Sequence, residues 1–127
     1  MLVYHEADEA ALNIIREAVD LGNSHIDLSD LQLESVPDEL AELKDLVVLT
    51  PGHVLATDLQ LMLGTNRLRH FPLAVCELTN LTTLIISHNR IAHLPPEIGN
   101  LANLRELSVA HNRLRVLPLE VTRLKNL

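Results

Sequence analysis

The chain repeats itself at an offset of 23 residues. Leu81 to Pro95 follows L-x-x-L-x-L-x-x-N-x-L-x-x-L-P with Ile86 and Ile91 in place of two leucines, and Leu104 to Pro118 follows it with Val109 in place of one. Asn66, Asn89 and Asn112 stand 23 apart, as do Pro72, Pro95 and Pro118. A period in this range builds a solenoid, because one unit cannot bury its apolar face alone and must stack on its neighbours. Such a fold offers an extended surface rather than an enclosed catalytic cleft.

Composition agrees with stacked aliphatic layers. Among 127 residues there are one Tyr, one Phe and no Trp. A globular core of this size uses aromatics to fill irregular space, whereas identical aliphatic layers do not need them. The net charge of −7 is unevenly spread: residues 1–46 carry −10 and residues 47–127 carry +3. That balance excludes the broad basic face that general nucleic-acid binding needs. Cys76 is the single cysteine, so no intrachain disulfide forms and a reducing, cytoplasmic compartment is expected. No apolar run approaches the ~18 residues of a membrane span, and residues 1–20 do not read as a signal peptide.

The L-x-x-L-x-L-x-x-N-x-L-x-x-L-P pattern resembles the leucine-rich repeat. Its Leu-Pro-x-x-Ile-x-x-Leu frame is similar to intracellular, Ras-suppressor-like and scaffold-type members. The opening Ile26-Asp27-Leu28-Ser29-Asp30-Leu31 also looks like fungal intracellular members. The resemblance implies an α/β solenoid of about four 23-residue repeats, with a parallel sheet on the concave side. It also implies that the repeat asparagine turns inward and bonds backbone groups of neighbouring turns.

Taken in order, Ala7 to Leu21 is predicted as an amphipathic helix with Ala11, Leu12, Ile15, Ala18 and Val19 on its apolar stripe. Gly22-Asn23 ends it. Residues 1–23 are read as a cap over the open end of a repeat domain at 24–127. Ile26 to Leu46 is a degenerate first repeat in which Leu31 occupies the asparagine position. An apolar insertion at about 47–57, with Pro51-Gly52 at its centre, breaks the period; it is expected to be a bulging loop or a small hairpin packed on the solenoid. The array is expected to continue past Leu127, or to end there uncapped and open to self-association. Asn66, Asn89 and Asn112 form the structural ladder. Asn89→Ala is expected to cost more than Asn66→Ala, since Asn89 has regular repeats on both sides.

Alternate strand positions point onto the concave face and stack in columns. Asp27, Met62, Ile85 and Ser108 form one column; His25, Gln60, Thr83 and Glu106 form the next; Asp30, Thr65, His88 and His111 form another. Met62 and Ile85 are adjacent apolar residues with a polar rim, the composition of a small binding patch. Gln60, Met62, Thr83, Ile85, His88, Glu106, Ser108 and His111 are therefore the candidate partner surface. Two exposed apolar residues are also ordinary on any surface. Past the asparagines run Arg67, Arg90 and Arg113, a basic rim that would suit an acidic or phosphorylated segment. A solvated loop edge tolerates the same residues.

The histidines pair on adjacent turns without a third ligand, so no metal is expected. A nucleophile with a base, a phosphate loop and paired carboxylates were all sought, and no catalytic site or cofactor is expected. The sequence thus predicts a non-catalytic module that binds a protein or peptide, with neither nucleic acid nor membrane as partner. The alternative is the targeting segment of a larger signalling enzyme, a kinase, phosphatase or cyclase, whose catalytic part lies past residue 127.

Overall fold

The structure, a computed structural model, describes residues 6–45, 48–49, 55–56 and 58–127. Helix α1 spans Glu6–Leu21. Ala11, Ile15 and Ala18 are 0–2% exposed along its buried face, which packs on the first repeat. Val19, assigned to the stripe by periodicity, is 37% exposed instead. It lies on the flank of the stripe in the last turn, where the buried face narrows to Ala18. Gly22 takes φ 68°, and the Asn23 N–H donates to the Ala18 carbonyl at 3.0 Å. This left-handed residue after the helix satisfies a terminal carbonyl and turns the chain toward the sheet.

The strands are β1 (His25–Asp27), β2 (Val48–Leu49), β3 (Leu55–Ala56), β4 (Leu59–Met62), β5 (Leu81–Ile85) and β6 (Glu106–Ser108). β1, β4, β5 and β6 form one parallel sheet in that order. Each strand is short because only its alternate residues reach the core before the chain must turn. On the opposite side run 3-10 segments at Asp38–Asp45, Leu73–Glu77, Pro96–Asn100 and Leu119–Arg123.

The prolines explain the 3-10 turns. The carbonyls of Pro37, Pro72, Pro95 and Pro118 accept the N–H of Leu40, Val75, Ile98 and Val121 at 3.0–3.1 Å. Proline fixes its own φ near −65° and has no N–H to leave orphaned. The residue three positions on then closes a tight turn and drops an aliphatic side chain inward. Leu40, Val75 and Ile98 are 0% exposed.

The insertion contains a hairpin pairing: β2 and β3 are antiparallel, with Val48 opposite Ala56 and Leu49 opposite Leu55. This favours the hairpin over the bulging loop. Pro51-Gly52 and the expected packing of this segment lie outside the described residues. The insertion leaves a trace where the solenoid resumes. Leu59 pairs with Leu81, whereas Gln60 pairs with Thr83, so the register slips by one residue at the start of β4. Asp58, in the first-leucine position of that repeat, is exposed.

Candidate functional site

The register assembles the concave columns. Gln60 lies opposite His25 and Thr83, and Thr83 opposite Glu106. Met62 lies opposite Asp27 and Ile85, and Ile85 opposite Ser108. In β4, Leu59 and Leu61 are buried while Gln60 and Met62 are half-buried. β5 likewise leaves Thr83 and Ile85 half-buried and sends Leu84 inward. Met62 and Ile85 thus form an apolar pair facing out, about 4.8 Å apart across the sheet. A Cβ on Gly64 would lie 3.9 Å from Ile85 Cγ2, so the missing side chain leaves that methyl flank uncovered. At the polar end of the same column, the Ser29 hydroxyl and N–H both donate to Asp27 Oδ1. They hold its carboxyl below the ordinary carboxylate range.

Past each strand the chain makes a left-handed turn. Thr65, His88 and His111 have φ of 53°, 56° and 55°, and the first repeat uses Asp30 at 57° and Gln32 at 60°. A β-branched threonine in this region is strained, and the turn is held by stacked backbone bonds. The N–H groups of Asp30, Thr65 and His88 donate to the carbonyls of Gly64, Ser87 and Ala110 at 3.0–3.1 Å. The turn presents the His88 and His111 rings in parallel, with centroids 4.2 Å apart and planes 12° from each other. Both are exposed.

The asparagine ladder has a direction. Asn66 Oδ1 accepts the N–H groups of Leu31 and Leu33 in the preceding repeat. Its Nδ2 donates to Leu28 of that repeat and to Leu63 and Gly64 of its own. Asn89 accepts from Leu68 and donates to Leu63, Ile86 and Ser87. Asn112 accepts from Ile91 and donates to Ile86, Val109 and Ala110. Each amide therefore serves its own turn and the one before it, never the one after. Asn66, which accepts from two N–H groups, makes more of these bonds than Asn89, so the hydrogen bonds argue for the larger loss at Asn66, not at Asn89 as expected from sequence.

The arginine column follows from the same stacking. The N–H groups of Arg67, Arg90 and Arg113 donate to the carbonyls of Leu33, Leu68 and Ile91, each at 2.8 Å. All three side chains are exposed.

A second asparagine ladder escaped the sequence reading. Asn80, Asn103 and Asn126 are also 23 apart, each followed by leucine. Their Nδ2 groups donate to the carbonyls of Leu43, Thr79 and Ala102 at 3.5, 2.8 and 2.8 Å. This ladder clamps the edge at which the strands begin and borders a polar cavity of about 410 Å³ that Asp58, Thr82 and Arg105 also line. The Asn-Leu dipeptide at a fixed offset was the signal that could have revealed it. Cys76 is buried, with its thiol pushed up to about 12 by burial and, less, by the charge of Glu97. Among the described residues, no cluster of three or more His, Cys, Asp or Glu side chains is placed to hold a metal ion. Nor, among these residues, is any helix long and apolar enough to cross a membrane.

Comparison with known proteins agrees with this geometry. The leucine-rich repeat family profile matches residues 79–127. No curated protein sequence matches the chain. Among solved structures, a leucine-rich repeat protein of Leptospira interrogans superposes over 91% of this chain with a TM-score of 0.71 and 32% identity. The plant peptide hormone receptor RGFR1, in complex with RGF2, covers 82% of it with a TM-score of 0.63 and 32% identity. The BIR2 ectodomain of Arabidopsis thaliana covers 80% with a TM-score of 0.60 and 26% identity. The chain spans 26%, 15% and 50% of these three chains, respectively.

Proposed function

The chain is a leucine-rich repeat solenoid, and from that premise we propose that it is a protein-interaction module that takes a protein or peptide on its concave face. The observation that carries this reading is the Met62–Ile85 pair. Registered strands place two apolar side chains side by side in a column whose ends are Asp27 and Ser108. Gln60, Thr83 and Glu106 flank the pair on one side, and the His88–His111 stack lies beyond the small residues Gly64, Ser87 and Ala110 on the other. An apolar centre with a polar rim is how interfaces concentrate their binding energy. The similar receptor structure holds a peptide hormone, which lends the mode a precedent. We assign the chain to an intracellular signalling or scaffold setting, of which the single cysteine supports only the reducing compartment.

The test is the double substitution Met62→Asp and Ile85→Asp. Both side chains face outward but are half-buried, so the circular dichroism spectrum should keep its wild-type shape while the melting temperature falls, because the new carboxylates stack beside Asp27. Capture of the natural partner should fall at least tenfold. Undiminished capture by a folded double variant sinks this siting.

A second reading rests on the shares of the similar structures that this chain spans. In it the same surface targets a larger signalling protein whose catalysis resides in another domain. The intact mass of the natural protein separates the two readings.

A further inference from the structure

We propose that Arg67, Arg90 and Arg113 form an anchoring subsite for an α-helical partner segment that carries carboxylates at one-turn spacing. This deepens the concave-face reading by adding a second, electrostatic contact at its edge.

The three arginines are held in register by equivalent backbone bonds of 2.8 Å, and the turns before them by Asn66, Asn89 and Asn112. Their Cα atoms therefore step along the solenoid by about 4.8 Å per turn, or roughly 9.6 Å from first to third. Helical side chains at i, i+3 and i+7 rise by about 4.5 and 6 Å, roughly 10.5 Å in all. Same-face side chains of an extended strand step by about 6.7 Å, reach roughly 13.4 Å by the third, and run out of phase with the column. The column's spacing thus matches an acidic helix laid along the solenoid axis better than an acidic strand.

The local charge is little opposed within these turns, although Glu34 follows the Leu33 carbonyl that Arg67 bonds on the preceding turn. No Asp or Glu occurs in 59–76, 78–96 or 107–119, the stretches that contain these arginines. Arg69 and Arg115 stand two residues further on, also exposed. Guanidinium groups grip carboxylates through two parallel hydrogen bonds, which gives geometric selection beyond simple attraction. The rest of the molecule disfavours the same ligand, since the chain as a whole carries −7.

The probe is a fluorescein-labelled synthetic helix built from alanine and glutamine, with Glu at i, i+3 and i+7 of each face-forming set. A control peptide of identical composition distributes the Glu residues around the helix. Anisotropy titrations with the full chain in 20 mM and 200 mM NaCl are expected to show at least tenfold tighter binding of the in-phase peptide. Binding should weaken markedly at the higher salt. The triple variant R67Q/R90Q/R113Q is expected to lose that binding at least tenfold with an unchanged melting temperature, and the double variant R16Q/R123Q to keep it. Because the probe has no large apolar side chain, it makes no demand on Met62 or Ile85. The rim and the concave patch can therefore fail separately.

Three results overturn the proposal. One is equal binding of the two peptides, which leaves only net charge. Another is undiminished binding by the triple variant. The third is a chain that self-associates in sedimentation and loses that association with the three arginines, which makes the acidic front of a second copy the occupant.

Discussion

The first repeat and the repeats that follow it solve the same problem differently. Between Thr65 and Pro118 each turn has one left-handed residue and one inward asparagine. The first repeat has two left-handed residues, Asp30 and Gln32, and Leu31 where the asparagine would be. Its outer side is closed by α1, with Ala11, Ile15 and Ala18 essentially buried. Its inner side is stitched by Asn66 from the following repeat. The contrast shows what the asparagine is for. Its amide reaches back to the preceding turn, so a turn with only a helix before it has nothing to stitch. A half-buried aliphatic residue packed on the core stands there instead.

The strongest way to break this comparison is to remove the helix's grip. Ile15→Ala should cost about 4 kcal/mol, as for a fully buried aliphatic side chain whose cavity cannot collapse. A urea midpoint nearly unchanged would mean that α1 does not close the first repeat. Next comes Asn66→Ala, which orphans the N–H groups of Leu31 and Leu33 and should cost roughly 3 kcal/mol. Asn89→Ala, which orphans one such N–H, should cost about 2 kcal/mol. If Asn89→Ala proves the costlier, the amides are not stitching backward in the way the hydrogen bonds indicate.

A smaller effect sharpens the contrast from the other side. Leu31→Asn restores the repeat's usual residue where no turn precedes it. It should leave stability within about 1 kcal/mol of wild type or lower it, never raise it substantially. A clear gain would show that the helix offers the amide good partners.

The smallest effect concerns Cys76 in the regular region. Its folded thiol is raised from the ordinary 9.0 to about 12, so the folded state holds the proton more tightly than the unfolded chain. Whatever stability this contributes is complete below pH 9.0 and is lost as the pH rises toward 12. At pH 8, alkylation of Cys76 in the native protein should be slow and should accelerate in step with urea unfolding. Fast labelling without denaturant would mean that the regular repeats open locally.

Much of this was legible in the sequence because stacking enforces the period. Once Met62, Ile85 and Ser108 shared a phase, they had to share a column. The left-handed turns were only partly legible: Asp30, His88 and His111 are of residue types enriched at positive φ, whereas Gln32 and Thr65 are not. Neighbouring backbone bonds impose it. The one-residue slip at Leu59 was hidden for a related reason. Consensus matching assumes that a strand resumes in phase after an insertion, and hydrogen bonding does not require it. Asn80, Asn103 and Asn126 were visible but fell outside the pattern being matched. The direction of the main ladder needed the positions of the carbonyls themselves.

The backward reach of the asparagines also bears on how the molecule comes into being. A ribosome delivers the chain from its N-terminus, so every turn emerges before the residue that will fasten it. Leu31 and Leu33 wait 35 and 33 residues for Asn66, and Leu68 waits 21 for Asn89. The newest turn on a growing chain is always unfinished, and each arrival completes its predecessor. The helix precedes the first repeat and packs on it, so that repeat gains a closed side as soon as it emerges.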